Sequence, residues 1–182
     1  MSIRYILKII FYLRYIMATY SDYNPKVNND YMTPEYAWDD VMRFIPKDKE
    51  IWEPFYGDGE SGKYLTSLGF NVIHEDEDFF DNNKGDIVVS NPPFETKKII
   101  IERLIELDKP FILLLPVSTI CYQYAKKLKD NIQILIPPKR IKFKKFDKTT
   151  GKIAPDWDKF TSTFDCLWVC YKMNLDQDIM YL

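Results

Sequence analysis

Short apolar runs without any polar interruption alternate in this sequence with segments of helical periodicity. The clearest runs are Ile87-Val88-Val89 and residues 111–115, and between them residues 96–107 carry apolar side chains at helical spacing. Strands that are apolar on both faces are typical of a parallel sheet covered by helices on each side. The sequence therefore predicts an α/β fold with a mostly parallel central sheet flanked by helices.

Other elements follow from local signals. Thr33 suits the cap of a helix, Pro34 suits its first turn, and Pro46 ends it. Gly69 suits the end of a later helix. We also predict strands at residues 51–53, 70–74, 86–90, 132–136, 139–146 and 164–171, and helices at residues 61–68 and 118–128.

Composition excludes several classes of protein. Hydrophobic residues make up 46% and charged residues 29% of the 182 residues, which excludes a wholly disordered chain. The net charge of −2 gives no basic field over the whole molecule, and a single His excludes a multi-His metal centre. We therefore predict no metal site, and we expect Cys121, Cys166 and Cys170 to be reduced thiols.

The first 30 residues differ from the rest of the chain. They are apolar and aromatic as far as Met17, but Arg4 and Lys8 interrupt them, so we predict no membrane span and no signal peptide. A basic amphipathic helix on a membrane or partner, a helix packed on the domain, and translation from Met17 all fit this pattern. We predict an N-terminal helix and linker over residues 1–30 and one folded domain over residues 31–182.

A glycine-rich turn follows the first of the predicted buried strands and reads Glu53-Pro54-Phe55-Tyr56-Gly57-Asp58-Gly59-Glu60-Ser61-Gly62. Gly57 and Gly59 accept backbone angles closed to other residues, so the main chain there can approach a ligand closely. The glycines match a dinucleotide pattern, and an acid follows about twenty residues later, at Glu75 or Asp76. A purely structural strand-to-helix turn is the alternative.

The charge of this turn argues against a pyrophosphate ligand. Glu53 and Asp58 place carboxylates where they would repel phosphates. They suit a cationic ligand with an amino-acid end and a nucleoside end, and S-adenosylmethionine is one. Asp76 is then predicted to accept the ribose hydroxyls, and Asp78 with Phe79 is predicted to bound the adenine of the cofactor. Most other charges near them are expected to belong to a solvated loop.

The tetrapeptide Asn91-Pro92-Pro93-Phe94 at the end of a buried strand is the most informative motif. Its prolines remove two N–H donors and stiffen the backbone, and Asn91 is held extended. The Asn91 side-chain carbonyl and the Pro92 main-chain carbonyl are therefore predicted to accept both hydrogens of a substrate NH₂ group, which aims the nitrogen lone pair at a methyl donor. Phe94 is predicted to stack on a flat base. A simple strand-ending turn is the alternative.

Together these motifs resemble the class I S-adenosylmethionine-dependent amino-methyltransferases, specifically the adenine-N6 DNA group. The resemblance spans residues 31–171 and implies a Rossmann-like methyltransferase domain. It implies that Thr33-Pro34 packs beside the methionine end of the cofactor, that the glycine-rich turn holds the cofactor, and that Asn91-Pro92-Pro93-Phe94 is catalytic. The matching motifs, in the family's order, are Thr33-Pro34, Glu53-Pro54-Phe55-Tyr56-Gly57-Asp58-Gly59, the Asp76 region and Asn91-Pro92-Pro93-Phe94.

The resemblance implies an enzyme that transfers a methyl group from S-adenosylmethionine to the N6 amine of adenine, with DNA favoured as substrate. The cofactor motif precedes the catalytic motif, as in the gamma arrangement of the family. The sequence departs from the family in two respects: few residues separate Asp78 from Asn91, so the usual third strand and helix are reduced, and no target-recognition domain follows the last strand. A recognition subunit or a homodimer is therefore expected.

Alternatives to this function are open at the sequence level. Relatives with the same tetrapeptide methylate RNA bases or a protein glutamine amide. A non-catalytic cofactor-binding subunit of a methyltransferase complex is a second alternative, and a nicotinamide-binding reductase is a third. The strand containing Trp168 also resembles phage and viral enzymes, and the Lys, Asn, Ile and Tyr bias is typical of an AT-rich genome. We expect a cytoplasmic location, which for a viral protein means the host cytoplasm or the virion.

A basic segment lies in the last third of the chain and is predicted to contact the phosphates of a nucleic acid. Ile141 and Phe143 alternate with its lysines, so a strand there would bury the apolar residues and expose the cations. Lysines that protect an edge strand against aggregation are the alternative. The cations are Lys139, Arg140, Lys142, Lys144 and Lys145, and the candidate stacking surfaces for an unpaired base are Tyr122, Tyr124, Phe146 and Trp157.

Overall fold

The computed structural model describes residues 31–147, 150–159 and 164–182, so the predicted N-terminal helix and linker lie outside the described residues. The helices are α1 (Glu35–Val41), α2 (Glu60–Ser67) and α3 (Lys97–Glu106). The strands are β1 (Tyr31–Met32), β2 (Glu50–Trp52), β3 (Asn71–Ile73), β4 (Ile87–Ser90), β5 (Phe111–Pro116), β6 (Ile132–Ile136), β7 (Lys144–Asp147), β8 (Lys152–Ile153), β9 (Cys166–Tyr171) and β10 (Ile179–Tyr181).

Seven of these strands form one sheet in the order β10-β6-β9-β5-β4-β2-β3. Strands β3, β2, β4 and β5 are parallel to one another, and β10 is parallel to β6. In this sheet β9 runs antiparallel, between β5 and β6. The prediction of a mostly parallel α/β sheet is confirmed, whereas β10 was not predicted.

The sheet carries apolar side chains on both faces, as its uninterrupted strands predict. Every residue of β4, β5 and β9 is buried. Successive residues of one strand enter different clusters, because side chains alternate across a sheet: Ile51 and Val89 pack with Trp38 and Trp168, whereas Val88 packs in the cluster on the other face.

The chain reverses its direction of travel across the sheet at β2. It passes from β2 to β3 at the sheet edge, and then returns to β4 on the other side of β2. Between β3 and β4 the structure contains only the 3₁₀ helix Phe79–Asp81, so the predicted reduction of the third strand and helix is confirmed. In open α/β sheets, ligands bind outside the carboxyl ends of strands at such a reversal.

A small antiparallel sheet, in the order β1-β7-β8, lies apart from the large one. The strand predicted over residues 139–146 pairs only from Lys144 onwards, because the Lys142 amide donates instead to the Tyr36 hydroxyl at 2.8 Å. The predicted alternation nevertheless holds, since Ile141 and Phe143 are buried and Lys142 is exposed.

The helix predicted over residues 118–128 is wrong. Two 3₁₀ helices, Val117–Cys121 and Gln123–Leu128, occupy this segment and are separated by an extended Tyr122. β-Branched residues crowd its first turn, which lowers helix propensity. At the start of α1, Pro34 rather than Thr33 is the cap residue, and it makes no side-chain cap bond.

Metal-ligating side chains are dispersed over the fold. The described residues contain no group of three or more His, Cys, Asp or Glu side chains that could hold a metal ion. Cys121 is exposed, Cys166 and Cys170 are buried, and all three are free thiols. Over the same part of the chain, no helix has both the length and the apolar character that a bilayer crossing requires.

Candidate functional site

A cleft lies where β2 and β4 end, at the reversal of the strand order. Its walls come from the segment before α1, the glycine-rich turn, the first turn of α2, and the residue that follows β4. The lining residues are Tyr31, Met32, Thr33, Trp38, Glu53, Phe55, Tyr56, Gly57, Asp58, Glu60, Ser61, Asn91 and Lys144.

Many of the predicted site residues meet in this cleft. Those that line it are Thr33, Glu53, Phe55, Gly57, Asp58, Asn91 and Lys144. Gly59 lies beside it as the cap of α2, with a φ of 80° that only glycine adopts readily. The buried prolines 34, 54 and 92 and the half-buried Pro93 hold the backbone of the lining segments.

The residues predicted to bind the nucleoside end of the cofactor do not line this cleft. Asp76 is exposed, whereas Asp78 accepts a bond from the Phe80 amide at 2.8 Å and so caps a 3₁₀ turn. Phe79 is only 2% exposed and stacks on Trp52, with ring centroids 5.3 Å apart. The Phe79 ring is therefore part of the core, and the roles of Asp76 and Asp78 stay predictions.

The Glu53 carboxylate joins four elements beneath the cleft. It is 1% exposed and accepts bonds from the Ser61 hydroxyl of α2, at 3.1 Å, and from the Ser90 hydroxyl of β4. His74, just after β3, contacts the same carboxylate and lies with Nδ1 2.8 Å from the Glu53 main-chain oxygen. Glu53 therefore orders the turn as well as lining the cleft.

His74 is held in place from several sides. Burial alone would lower its pKa, but the hydrogen bonds and charge of Glu53 outweigh burial, so the pKa of His74 is raised. The Tyr56 ring stacks on the imidazole with centroids 4.8 Å apart. A Cβ added to Gly62 would lie 2.2 Å from His74 Cδ2, so α2 can pack here only with glycine at this position.

The cleft is rich in negative charge. Among the described residues, Glu53, Asp58 and Glu60 line it against a single cation, Lys144, which already pairs with Glu35 at 2.9 Å. Asp58 and Glu60 lie at the start of α2, where the helix dipole stabilises carboxylates. This arrangement favours a cationic ligand over a pyrophosphate, as the sequence indicated.

Asn91 presents an unused hydrogen-bond acceptor. Its Nδ2 donates to the Tyr31 main-chain oxygen at 3.3 Å, and its Oδ1 is buried without a partner among the described residues. The carbonyls of Pro93 and Phe94 are occupied by the Thr96 amide and the Lys97 ammonium, whereas no bond to the Pro92 carbonyl is found in the same part of the chain. Within the described part of the chain, these two oxygens are thus left for a donor.

Phe94 belongs to a cluster of four aromatic rings next to Asn91. Its ring makes edge-to-face contacts with Phe143 at 6.1 Å and with Phe164 at 5.2 Å between centroids. Tyr31 contacts the same two rings and is 39% exposed. The cluster therefore forms an apolar wall beside the two free acceptors.

Most cations of the basic segment have local partners. Arg140 pairs with Asp165 at 2.9 Å, and Lys139 lies 4.2 Å from the centre of the Tyr36 ring. Lys142 and Lys145 are exposed. The segment borders the cleft through Lys144, but its binding to phosphates stays a prediction.

Sequence reasoning missed several polar groups of the site. Ser61, Ser90 and His74 gain their roles only through Glu53, which they reach from three different elements. Trp38, assigned from periodicity to the core, also lines the cleft, and its buried indole N–H has no acceptor within the described ranges. In the sequence, Ser90 at the end of an otherwise apolar strand was the one indication of a buried polar contact.

No protein-family model and no curated protein matches the sequence. Two solved structures are similar to this chain in fold. A dimethyladenosine transferase from Plasmodium falciparum is 11% identical with a TM-score of 0.48, and the match covers 78% of this chain and 62% of that one. The 23S rRNA methyltransferase ErmE is 9% identical with a TM-score of 0.47, covering 78% of this chain and 69% of that one. This chain thus spans less than two thirds of the first structure, and its function has to be inferred from the site.

Proposed function

We propose that the protein is a methyltransferase that moves a methyl group from S-adenosylmethionine to the exocyclic N6 amine of adenine in a nucleic acid, with DNA as the favoured substrate. One observation carries this proposal. The Oδ1 atom of Asn91 is a buried acceptor without a partner among the described residues, at the place in the sheet where ligands bind.

The orientation of the Asn91 amide supports this role. The Tyr31 carbonyl accepts from Nδ2, so a flipped amide would set two oxygens against each other. Oδ1 is therefore the acceptor. A buried acceptor without a partner costs about 1–3 kcal/mol, which an incoming N–H donor would recover.

Asn91 and Pro92 are proposed to bind the target amine together. Oδ1 of Asn91 and the main-chain oxygen of Pro92 accept one hydrogen each, which draws the nitrogen towards a pyramidal geometry and directs its lone pair. The rigid double-proline corner holds both oxygens before the substrate arrives, so catalysis comes from positioning. Phe94 packs against the base, and the aromatic cluster has to rearrange as the base enters because Oδ1 is buried.

The negative charge of the cleft suits S-adenosylmethionine, which carries a sulfonium and an ammonium group. When bound, it supplies the methyl group: the amine nitrogen bonds to the methyl carbon, the carbon–sulfur bond breaks with its electron pair on sulfur, and an amine proton leaves to solvent. Asp58 and Glu60 offer negative charge at its rim, and Gly57 lets the backbone approach closely. Thr33 and Phe55 complete the proposed walls, and Asp76 is proposed to accept the ribose hydroxyls.

The test is Asn91→Ala. Transfer of labelled methyl groups to adenine-containing oligonucleotides should fall about 100-fold or more, by analogy with removal of one preorganised hydrogen bond from an active site, while calorimetry should find cofactor binding unchanged. Asn131→Ala is the matched control, because Asn131 is exposed and precedes β6, away from the strand ends that form the cleft. Its turnover should equal that of the wild type.

DNA and RNA oligonucleotides are assayed side by side, and mass spectrometry of the digested nucleosides identifies the methylated atom. N6-methyladenine in DNA alone is the expected product. Methylation of RNA alone would replace DNA as the substrate. Unchanged turnover in Asn91→Ala would refute the role given to the tetrapeptide, and absence of cofactor binding by the wild type would refute the function.

A further inference from the structure

Exposed large apolar side chains are concentrated near the proposed active site. Among the described residues, seven such side chains are exposed, and two of them, Tyr31 and Tyr56, line the cleft. Three more lie within the six residues after β5: Val117 at 41%, Ile120 at 42% and Tyr122 at 47% exposure. A patch of this kind marks a binding surface rather than a core.

The patch formed by Val117, Ile120 and Tyr122 adjoins the tetrapeptide Asn91-Pro92-Pro93-Phe94. Strand β5 lies next to β4 and parallel to it, so the patch and Asn91 follow the same edge of the sheet. Lys97 connects the two, because its Nζ donates to the Phe94 main-chain oxygen at 2.8 Å and lies 5.5 Å from the centre of the Tyr122 ring. One lysine side chain therefore separates the exposed tyrosine from the residue proposed to contact the target base.

The Tyr122 ring has one stacked aromatic neighbour and one more distant cation. Tyr124 is stacked on it with centroids 5.6 Å apart and planes 12° from parallel. The 5.5 Å distance to Lys97 is much longer than the 3.6 Å between Lys47 and the Phe70 ring elsewhere in the fold. A ring held by a neighbour but still half exposed can accept a flat ligand without reorganisation of the core.

The charge around the patch is positive. Residues 117–130 contain three lysines and one acid, Asp130, and Lys127 pairs with Glu102 at 2.8 Å. Lys97 and Lys98 add two cations at the start of the adjacent helix α3. Aromatic rings combined with nearby cations are the general means by which proteins bind single-stranded nucleic acid: the bases stack and the phosphates pair with the cations. A purely apolar protein partner would not require this charge.

We propose that Tyr122, with Val117, Ile120 and Lys97, binds an unpaired nucleotide of the substrate next to the target adenine. The base stacks on the Tyr122 ring, and Lys97 contacts the adjoining phosphate. This inference rests on the proposed function, since it names how the same substrate is held. It predicts that substrates with an unpaired base beside the target bind more tightly than fully paired duplexes.

Binding of fluorescein-labelled adenine-containing oligonucleotides, single-stranded and duplex, is measured by anisotropy with Tyr122→Ala, Tyr122→Phe and Tyr181→Ala. Loss of one stacked base corresponds to about 5-fold to 100-fold weaker binding, which we expect for Tyr122→Ala with single strands. Tyr122→Phe keeps the ring and should bind as the wild type does. Tyr181 is 80% exposed on the outermost strand β10, so Tyr181→Ala controls for loss of an exposed tyrosine.

Lys97→Gln tests the proposed phosphate contact independently of the stacking on Tyr122. It should reduce the slope of log affinity against log salt by about 0.7, the value for one phosphate contact on a single strand. If Tyr122→Ala lowers the melting temperature, Tyr122→Leu replaces it, because leucine keeps the apolar bulk and removes only the ring.

The outcomes separate this inference from the proposed function. Unchanged affinity and unchanged KM in Tyr122→Ala, or a wild type that binds no oligonucleotide, would overturn the inference. A wild type that binds single strands through Tyr122 but transfers no methyl group would overturn the proposed function and leave this surface established.

Discussion

Gly62 is expected to be intolerant of alanine, although it lies inside a helix. At an ordinary helical position, replacing glycine by alanine stabilises by about 1 kcal/mol. Here the new Cβ would lie 2.2 Å from Cδ2, 2.3 Å from Cγ and 2.6 Å from Cβ of His74. Cβ and Cγ of His74 keep their positions when the ring turns about the bond between them, so a rotation of the ring does not relieve the contact.

The cost follows from what restrains His74. Overpacking costs about 1–3 kcal/mol, and pulling His74 away from the buried Glu53 carboxylate costs about 1–3 kcal/mol for the lost bonds. After the gain in helix propensity, Gly62→Ala should lose about 3 kcal/mol in the free energy of unfolding. For a chain of this size, that lowers the melting temperature by about 6–12 °C.

Urea unfolding followed by circular dichroism measures the effect. A matched pair uses His74→Gly, which removes the Cβ along with the ring and leaves room for the added methyl group. In that background, Gly62→Ala should stabilise the protein, so the sign of the substitution should reverse between the two backgrounds. A rise in stability when Gly62→Ala is made in the wild type would refute this account of the packing.

Two further predictions concern titratable groups. Because the pKa of His74 is raised in the folded protein, its protonation stabilises the folded state below the ordinary pKa of 6.5, and this stabilisation is lost as pH rises through the raised pKa. The urea midpoint of the wild type should therefore fall over that pH range, and that of His74→Gln should not. An NMR titration that gives His74 a pKa below 6.5 would contradict this prediction. Burial raises the pKa of Cys166 and Cys170 to about 12. Iodoacetamide should therefore label only the exposed Cys121 in the native protein and all three thiols in urea, and native labelling of Cys170 at the rate of Cys121 would count against the buried strand β9.

Much of the central fold could be predicted from the sequence because its strands are buried on both faces. Ile87-Val88-Val89 and the run from Phe111 have no polar interruption, and their short length between helical segments favours buried strands over a buried helix. The backbone of the candidate site was predictable for a related reason: prolines restrict the residue before them and glycines permit a positive φ, so the local conformations at Asn91 and Gly57 follow from nearby residues.

The peripheral elements could not be predicted in the same way. Strand β10 has exposed residues at both ends and β1 is two residues long, so neither has enough length for a periodic pattern. The segment after β5 contains apolar residues that are exposed rather than buried, and this imitates a helix pattern without a core to support it. Here tertiary context decided the outcome.

The polar network of the site depends on contacts that are distant in sequence. Nothing in the sequence around Ser61 and Ser90 distinguishes them, because their shared role comes from hydrogen bonds to Glu53 in the folded protein. Ser90 lies 37 positions after Glu53. Only the parallel pairing of β2 with β4 brings these side chains together. A sequence pattern records residue types, whereas a shared buried carboxylate is a property of the assembled sheet.

Because one buried carboxylate serves the glycine turn, α2, β3 and β4 at once, these four segments cannot diverge independently. A substitution that withdraws the His74 or Ser90 contact leaves the same anion under-solvated, and a compensating change must then come from another of the four. Attempts to graft a different glycine-rich turn onto this sheet should therefore succeed only when the new turn keeps a carboxylate that the histidine and both serines can contact.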